Sequence, residues 1–218
     1  MNFDLTKEQL MVQSMVRAFA EKEIKPIAQE LDRTGNFPWP LIKKMGALNM
    51  MGMTVPREWG GAGVDSVSYA LAIEELAKAC GSTSVIMAVH NSVCCYPIYK
   101  FGTDAQKEQF LRPLAEGKKL GGFALTEPSA GSDAGAVRTT AFLEGDNYIL
   151  NGNKIFITSG CEADVILVLA STEPSKGTKG LTAFIVEKGT PGFTYGTIED
   201  KMGVRASATS ELVFENCR

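Results

Sequence analysis

Apolar positions in the first half of the chain recur at helical spacing. Val12, Met15, Val16, Phe19, Ala20, Ile24, Ile27, Ala28 and Leu31 fall on one side of a helix, which predicts a buried face. Thr6-Lys7-Glu8-Gln9 reads as a capping box, in which the Thr6 hydroxyl takes the Gln9 N–H and the Gln9 side chain reaches back. Pro26 has no N–H and crowds the preceding turn, so the helix is expected to kink or split there. Residues 36–40 read as a turn, followed by a short helix to about Asn49. Asp65 or Ser66 can cap a second amphipathic helix, with Tyr69, Leu71, Ala72, Leu76 and Ala77 on its apolar side, ending near Gly81. Residues 85–95 are apolar almost all round and predict a central buried helix. His90, Asn91 and Ser92 are its exceptions: either they are satisfied internally, or that turn faces a polar ligand. Pro97 bends or ends this helix, and Thr103-Asp104-Ala105-Gln106 is a second capping box, opening a helix that runs to Gly117.

Beyond about residue 119 the period changes. Residues 139–143 and 148–150 read as hairpin arms around Glu144-Gly145-Asp146-Asn147, and Asn151-Gly152-Asn153 as another tight turn. Ile155 and Ile157 then alternate with Lys154, Phe156 and Thr158. Residues 165–170 and 181–186 are apolar strands around an exposed polar loop, and 193–198 and 211–215 add two more. Short strands without intervening helices predict an antiparallel barrel or sandwich. The fold class is therefore α+β: an all-α domain over 1–118 and a β-barrel domain over 119–218.

Two loops stand out. Residues 54–63 are rich in Pro and Gly, a connector or the wall of a site, and the connector is the simpler reading. Leu125-Thr126-Glu127-Pro128-Ser129-Ala130-Gly131-Ser132-Asp133 joins the two halves. Its rigid Pro, flexible Gly and short hydroxyl and carboxylate side chains can present hydroxyls and backbone N–H groups to a bound group.

Composition narrows the chemistry. The net charge of −3 argues against a general nucleic-acid or anionic-membrane surface. A single histidine, His90, leaves little material for a His-based metal site or a Ser/His relay, and no metal is expected. No apolar run is long enough to span a bilayer, and Met1-Asn2-Phe3-Asp4 lacks the regions of a secretory signal. Five cysteines without a CxxC spacing fit reduced thiols and a cytoplasmic location, with Cys94 and Cys95 as small buried residues. There is no GxGxxG and no GK[ST], so a nucleotide cofactor is not held by either device.

Leu125-Thr126-Glu127-Pro128 followed by Gly131-Ser132-Asp133 resembles the signature of the acyl-CoA dehydrogenase family, and Asn151-Gly152-Asn153-Lys154-Ile155-Phe156-Ile157-Thr158-Ser159-Gly160 is similar to its second flavin segment. Val55-Pro56 with Trp59-Gly60-Gly61, Ile73-Glu74-Glu75-Leu76, Phe101-Gly102-Thr103 with Gln106-Lys107, and Lys201-Met202-Gly203-Val204-Arg205-Ala206-Ser207 fall in the family's order. The resemblance covers essentially the whole chain and is nearest to short-chain, butyryl-CoA-type bacterial members. It implies the family's N-terminal helical and middle β domains only. The family's third, C-terminal helical domain, with the glutamate base of most members, is absent from these 218 residues. No catalytic residue is therefore assigned in this chain, the isolated chain is expected to be inactive, and Glu127 is taken as loop structure.

The resemblance further implies FAD and oxidation of a short acyl-CoA to trans-2-enoyl-CoA, part of fatty acid metabolism. A hydride leaves Cβ for flavin N5. Phe123, Leu125, Thr126, Gly131 and Ser132 would run along the flavin, with Phe156 against the ring, Ile157 beside it and Thr158 near N5. Many relatives carry Trp where this chain has Phe156, which keeps the stacking and loses the indole donor. Ser132 and Thr178 would contact the CoA portion, and Val89 and Asn91 would line the acyl pocket. Arg205 with Asp200 and Lys201 would contact cofactor, substrate or a neighbouring subunit, or pair its own charges. The implied partners are acyl-CoA, an electron-transfer flavoprotein and further copies of the chain, a homotetramer in the family. Alternatives are a branched or cyclic acyl-CoA, the reductive direction, or a non-catalytic fragment.

Overall fold

The computed structural model describes residues 4–218, whose backbone contacts fall into two units. One comprises the chain up to Lys119 together with Asp200–Ser207, the other Leu120–Glu199 with Ala208–Arg218.

The first unit is helical: α1 (Lys7–Phe19), α2 (Ala28–Thr34), α3 (Trp39–Ala47), α4 (Ser66–Ala79), α5 (Gly81–Val89), α6 (Tyr96–Phe101), α7 (Asp104–Gln106) and α8 (Arg112–Ala115). Both capping boxes form, at Thr6/Gln9 and at Thr103/Gln106. The long amphipathic segment splits before Pro26, as its sequence predicts, by a particular device. The turn Ala20–Ile24 widens so that the Lys25 N–H reaches back five residues to the Ala20 carbonyl. The same widening precedes Pro97, where Tyr96 N–H donates to Asn91 O, and Pro113, where Arg112 N–H donates to Lys107 O. A wide turn makes room for a proline ring without ending the helix. Val16, Ile24, Met45, Leu76, Met87 and Leu114 are fully buried in this unit, whereas Met15, Ile27 and Ala77, expected inside, are exposed. Glu75 lies buried on α4, where Arg17 of α1 binds it through two nitrogens at 2.9 and 3.0 Å.

The second unit is a seven-stranded sheet in the order β1-β4-β2-β3-β7-β6, with β5 on β4, curled into a half-barrel. Its strands are β1 (Gly121–Ala124), β2 (Thr140–Glu144), β3 (Asn147–Thr158), β4 (Val165–Ser171), β5 (Leu181–Glu187), β6 (Phe193–Ile198) and β7 (Thr209–Cys217). The pairing is antiparallel apart from β1, which runs parallel to β4, and a single parallel bridge from β2 to the far end of β4 at Thr140↔Ser171. The apolar run of β4 is buried almost throughout because it is paired on both sides, while β5, paired with β4 alone, exposes Thr182 and Ala183.

One expected turn is not a turn. Asn151-Gly152-Asn153 lies inside β3, which runs unbroken from Asn147 to Thr158. The glycine has φ +146°, and a Cβ there would sit 2.5 Å from Thr139 Oγ1 and 2.8 Å from Thr139 Cα. Close backbone approach, not chain reversal, is what requires Gly152. The partner strand takes up the slack: Leu150 pairs with Cys217 and Gly152 with Phe214, leaving an extra residue on β7, where Asn216 adopts φ +49°.

Candidate functional site

The second irregularity of β3 lies where it builds a surface. Lys154 pairs with Leu212 and Ile157 with Ser210, so Ile155 and Phe156 together face the single residue Glu211. This β-bulge puts Phe156 in the left-handed region at φ +57°, with the residue 59% exposed. Such outliers cluster at functional sites, so the positive φ, more than the exposure, makes Phe156 a candidate. The bulge also breaks the alternation read from the sequence. Lys154 and Ile157 both turn inward and are buried, Phe156 turns out, and Thr158 ends the strand half-buried.

The loop 125–133 lies against this bulge. Ile155 N–H donates to Thr126 O at 2.9 Å, and Lys154 Nζ donates to Leu125 O at 3.0 Å. Phe123 on β1, Leu125 and Thr126 are half-buried, and β1 lies close to the end of β3, where a Cβ built on Gly122 would be 3.3 Å from Thr158 O. Ile157 is there too, but its side chain is 2% exposed and only its backbone can face a ligand. The loop itself is a tight turn, in which Glu127 and Ala130 exchange backbone hydrogen bonds at 2.8 and 3.1 Å. Beyond it Gly131 and Ser132 are exposed, and a Cβ added at Gly131 would meet no atom within 4 Å. Asp133 Oδ1 accepts the Gly135 N–H, and a Cβ built on Gly135 would lie 2.9 Å from Thr178 Cγ2. Thr178 therefore sits beside the continuation of the same loop, a short distance in sequence past Ser132.

Under this surface lies a buried ion pair that the sequence reading did not assign. Lys154 Nζ and Glu127 Oε1 are 2.8 Å apart, with side-chain exposures of 0% and 3%. Burial raises the Glu127 carboxyl, but hydrogen bonds from Lys154, Thr139 and the Arg138 N–H outweigh it and hold the group below the ordinary carboxylate value. The carboxylate is therefore charged. The only signal for the pair in the sequence is that a lysine occurs among apolar residues, and an alternating strand would have turned that lysine outward.

In the helical unit, Val89 closes α5 half-buried. Asn91 is fully buried, and its amide is engaged on both sides. Nδ2 donates to Met50 O and Met87 O at 3.0 and 3.1 Å, and Oδ1 accepts the Met53 N–H at 2.8 Å. The internal hydrogen bonds, not a ligand, account for its polarity. His90 is likewise buried, with Nε2 3.1 Å from Leu114 O. The glycine-rich loop 54–63 packs its own backbone: a Cβ on Gly61 would fall 2.0 Å from Val55 O. Arg57, Gly61 and Ala62 also border a cavity of about 370 Å³ with Val12, Met15 and Met53. Arg205 bonds Asp200 Oδ1 and Lys201 O, each at 2.7 Å, and Asp32 O at 3.0 Å, so its turn pairs its own charges and ties to α2.

The class these features define is a helical unit followed by a curled sheet that offers an aromatic platform beside a hydroxyl-bearing loop. Sequence comparison matches residues 6–118 to the acyl-CoA dehydrogenase N-terminal domain and residues 122–217 to the acyl-CoA dehydrogenase middle domain. The chain belongs to the acyl-CoA dehydrogenase family. It is 54% identical over 216 residues to the short-chain specific acyl-CoA dehydrogenase of Clostridium acetobutylicum, covering 99% of this chain and 57% of that protein. It is 48% identical to the acryloyl-CoA reductase (NADH) of Anaerotignum propionicum, covering 100% and 56%. Among solved structures, butyryl-CoA dehydrogenase from Megasphaera elsdenii superposes with a TM-score of 0.95 at 47% identity, covering 100% of this chain and 58% of that one. A glutaryl-CoA dehydrogenase from Mycobacterium smegmatis, solved in complex with FADH2, gives 0.92 at 37% identity, covering 98% and 54%. The chain thus spans a little over half the length of the relatives it matches.

Proposed function

We propose that this chain is the flavin-holding part of an FAD-dependent short-chain acyl-CoA dehydrogenase, which converts a short acyl-CoA to its trans-2-enoyl-CoA. The observation that carries the reading is Phe156, an exposed ring at φ +57° on a bulge beside Thr126. The residues fit a flat, polar-edged ring. FAD, when bound, supplies the hydride acceptor that no side chain provides.

Phe156 offers the stacking face, and the half-buried Phe123 and Leu125 are assigned apolar contacts along the flavin. The Thr126 and Thr158 hydroxyls and the Thr126 N–H are donors for the polar edge, where such donors stabilise negative charge. Gly131 allows close approach, and Ile157 contributes backbone alone. Ser132 and Thr178 are assigned to the CoA portion, and Val89 is the helical unit's candidate for the acyl side. Asn91, its amide already engaged, holds its helix rather than a ligand. No residue of 1–218 is assigned the α-proton, and in this reading the 218-residue chain alone does not turn over. Further copies of the chain, a tetramer by analogy, and an electron-transfer flavoprotein belong to the same reading.

The test is anaerobic titration of the full-length protein. It should purify with a flavin spectrum that butyryl-CoA bleaches, and longer acyl-CoAs should bleach it progressively less. Bound flavin that no acyl-CoA reduces would sink the dehydrogenase assignment. The likeness to an acryloyl-CoA reductase favours a second reading, the reductive direction. Rapid reoxidation of reduced flavin by enoyl-CoA, without bleaching by acyl-CoA, would select it.

A further inference from the structure

Lys154 is buried completely, yet its ammonium does more than neutralise Glu127. It donates to Leu125 O at 3.0 Å and to Glu127 Oε1 at 2.8 Å. Glu127 in turn accepts the Arg138 N–H at 2.6 Å and the Thr139 N–H at 2.9 Å, which fastens the far end of the loop. In a trans peptide the C=O and N–H point in opposite directions. Tying the Leu125 carbonyl to Lys154 therefore aims the next N–H, that of Thr126, away from the lysine. A cation on the carbonyl oxygen also polarises that peptide, which makes the Thr126 N–H a stronger donor. The adjacent residue Ile155 fixes Thr126 O, and Phe156 follows on the bulge. One buried side chain thus sets the direction of the donor and anchors the strand carrying the ring. Packing alone is a poor reason for it, because an apolar pair of similar volume would avoid the desolvation of two charges.

We propose that Lys154 is a positioning residue for the flavin, acting through the Leu125–Thr126 peptide to strengthen FAD binding and to raise the cofactor's reduction potential. The inference rests on the FAD reading above and deepens it. A stronger N–H donor at the ring's polar edge would favour the reduced, more negative form.

The test uses the FAD-loaded full-length protein. Lys154→Met combined with Glu127→Gln removes both buried charges together, so neither is left unpaired. The readouts are FAD dissociation constant, two-electron reduction potential and melting temperature. Glu75→Gln, which removes a buried carboxylate of the helical unit, controls for lost stability alone. The double variant should bind FAD about tenfold more weakly, the scale of a lost charge-assisted hydrogen bond, and its potential should move to more negative values. Glu75→Gln should leave both at wild-type values. If the double variant does not fold, Lys154→Gln combined with Glu127→Gln, which removes both charges and leaves a neutral amide donor at position 154, should show changes in the same direction and of smaller size. A folded variant with wild-type FAD affinity and potential overturns the proposal. A wild-type protein that holds no flavin overturns the FAD reading, and this inference with it.

Discussion

Phe156 is where local energetics and the proposed function oppose each other. An L-residue in the left-handed region loses about 1 kcal/mol relative to glycine, and a residue that is 59% exposed recovers little by burial. Phe156→Gly should therefore raise stability by about 0.5–1 kcal/mol in denaturant titrations while the protein loses flavin. Phe156→Ala keeps the strain and loses the ring, so flavin should be lost with no gain in stability. A Phe156→Gly variant that keeps wild-type flavin affinity would remove the ring from the site. Gly131→Ala asks a related question from the other side, since a Cβ there meets no protein atom. Stability should stay within about 0.5 kcal/mol, and any loss of FAD would mark a ligand passing close to that loop. The residue types of this surface were legible in the sequence, as an aromatic and hydroxyls in two separated segments. The positive φ of Phe156 was not, because alternation describes which face a residue takes and says nothing about an extra residue in one strand.

At the scale of elements, what could be read and what could not follow from the range of the interactions. Capping boxes, the proline interruptions and the hairpin at Gly145 depend on residues within a few positions of each other, and the structure has all of them. Strand β3 depends on partners far along the chain. Gly152 looked like a turn because the sequence does not show Thr139 crossing over it, and alternation put Lys154 on the face opposite Ile155 and Ile157 because the sequence does not show its partner Glu127. The parallel pairing of β1 with β4 was hidden in the same way. Gly152→Ala tests the contact directly. With Thr139 Cα 2.8 Å from the new Cβ and φ at +146°, it should destabilise the sheet by about 2–3 kcal/mol, read by chemical denaturation. A loss under about 0.5 kcal/mol would mean that the strands separate there at little cost.

Across the whole molecule, the two units differ in how they answer to acid. Burial holds His90 neutral and lowers its pKa from 6.5 to about 4, despite backbone hydrogen bonds that favour the charged ring. Between those values the unfolded chain binds a proton that the folded chain refuses, so stability falls as pH drops from about 6.5 to 4. The Arg17 hydrogen bond lowers the Glu75 carboxyl from 4.5 to about 2, against the opposing effect of burial. Its stabilisation is present above 4.5 and is lost only as pH falls from there through about 2. Glu127, in the sheet unit, is lowered from the same ordinary value and likewise weakens only in acid below it. At pH 5, then, His90 alone of these three groups has begun to act, and it acts in the helical unit, by about 2 kcal/mol. Hydrogen exchange, corrected for its intrinsic pH dependence, should rise between pH 7 and 5 in peptides from α5 to α8 and stay unchanged in β3, β4 and β7. His90→Gln should abolish the slope, since the amide does not titrate. The same rise in the sheet peptides, or a slope that survives in His90→Gln, would refute this division. The outcome also bears on the boundary between the units. The segment Asp200–Ser207 follows β6 in sequence, but its contacts group it with the helices, where Arg205 binds Asp32. A single cut near residue 119 would assign it to the sheet. If it is part of the helical unit energetically, its exchange should rise at pH 5 with that of α5 to α8, while the strands on either side of it stay protected.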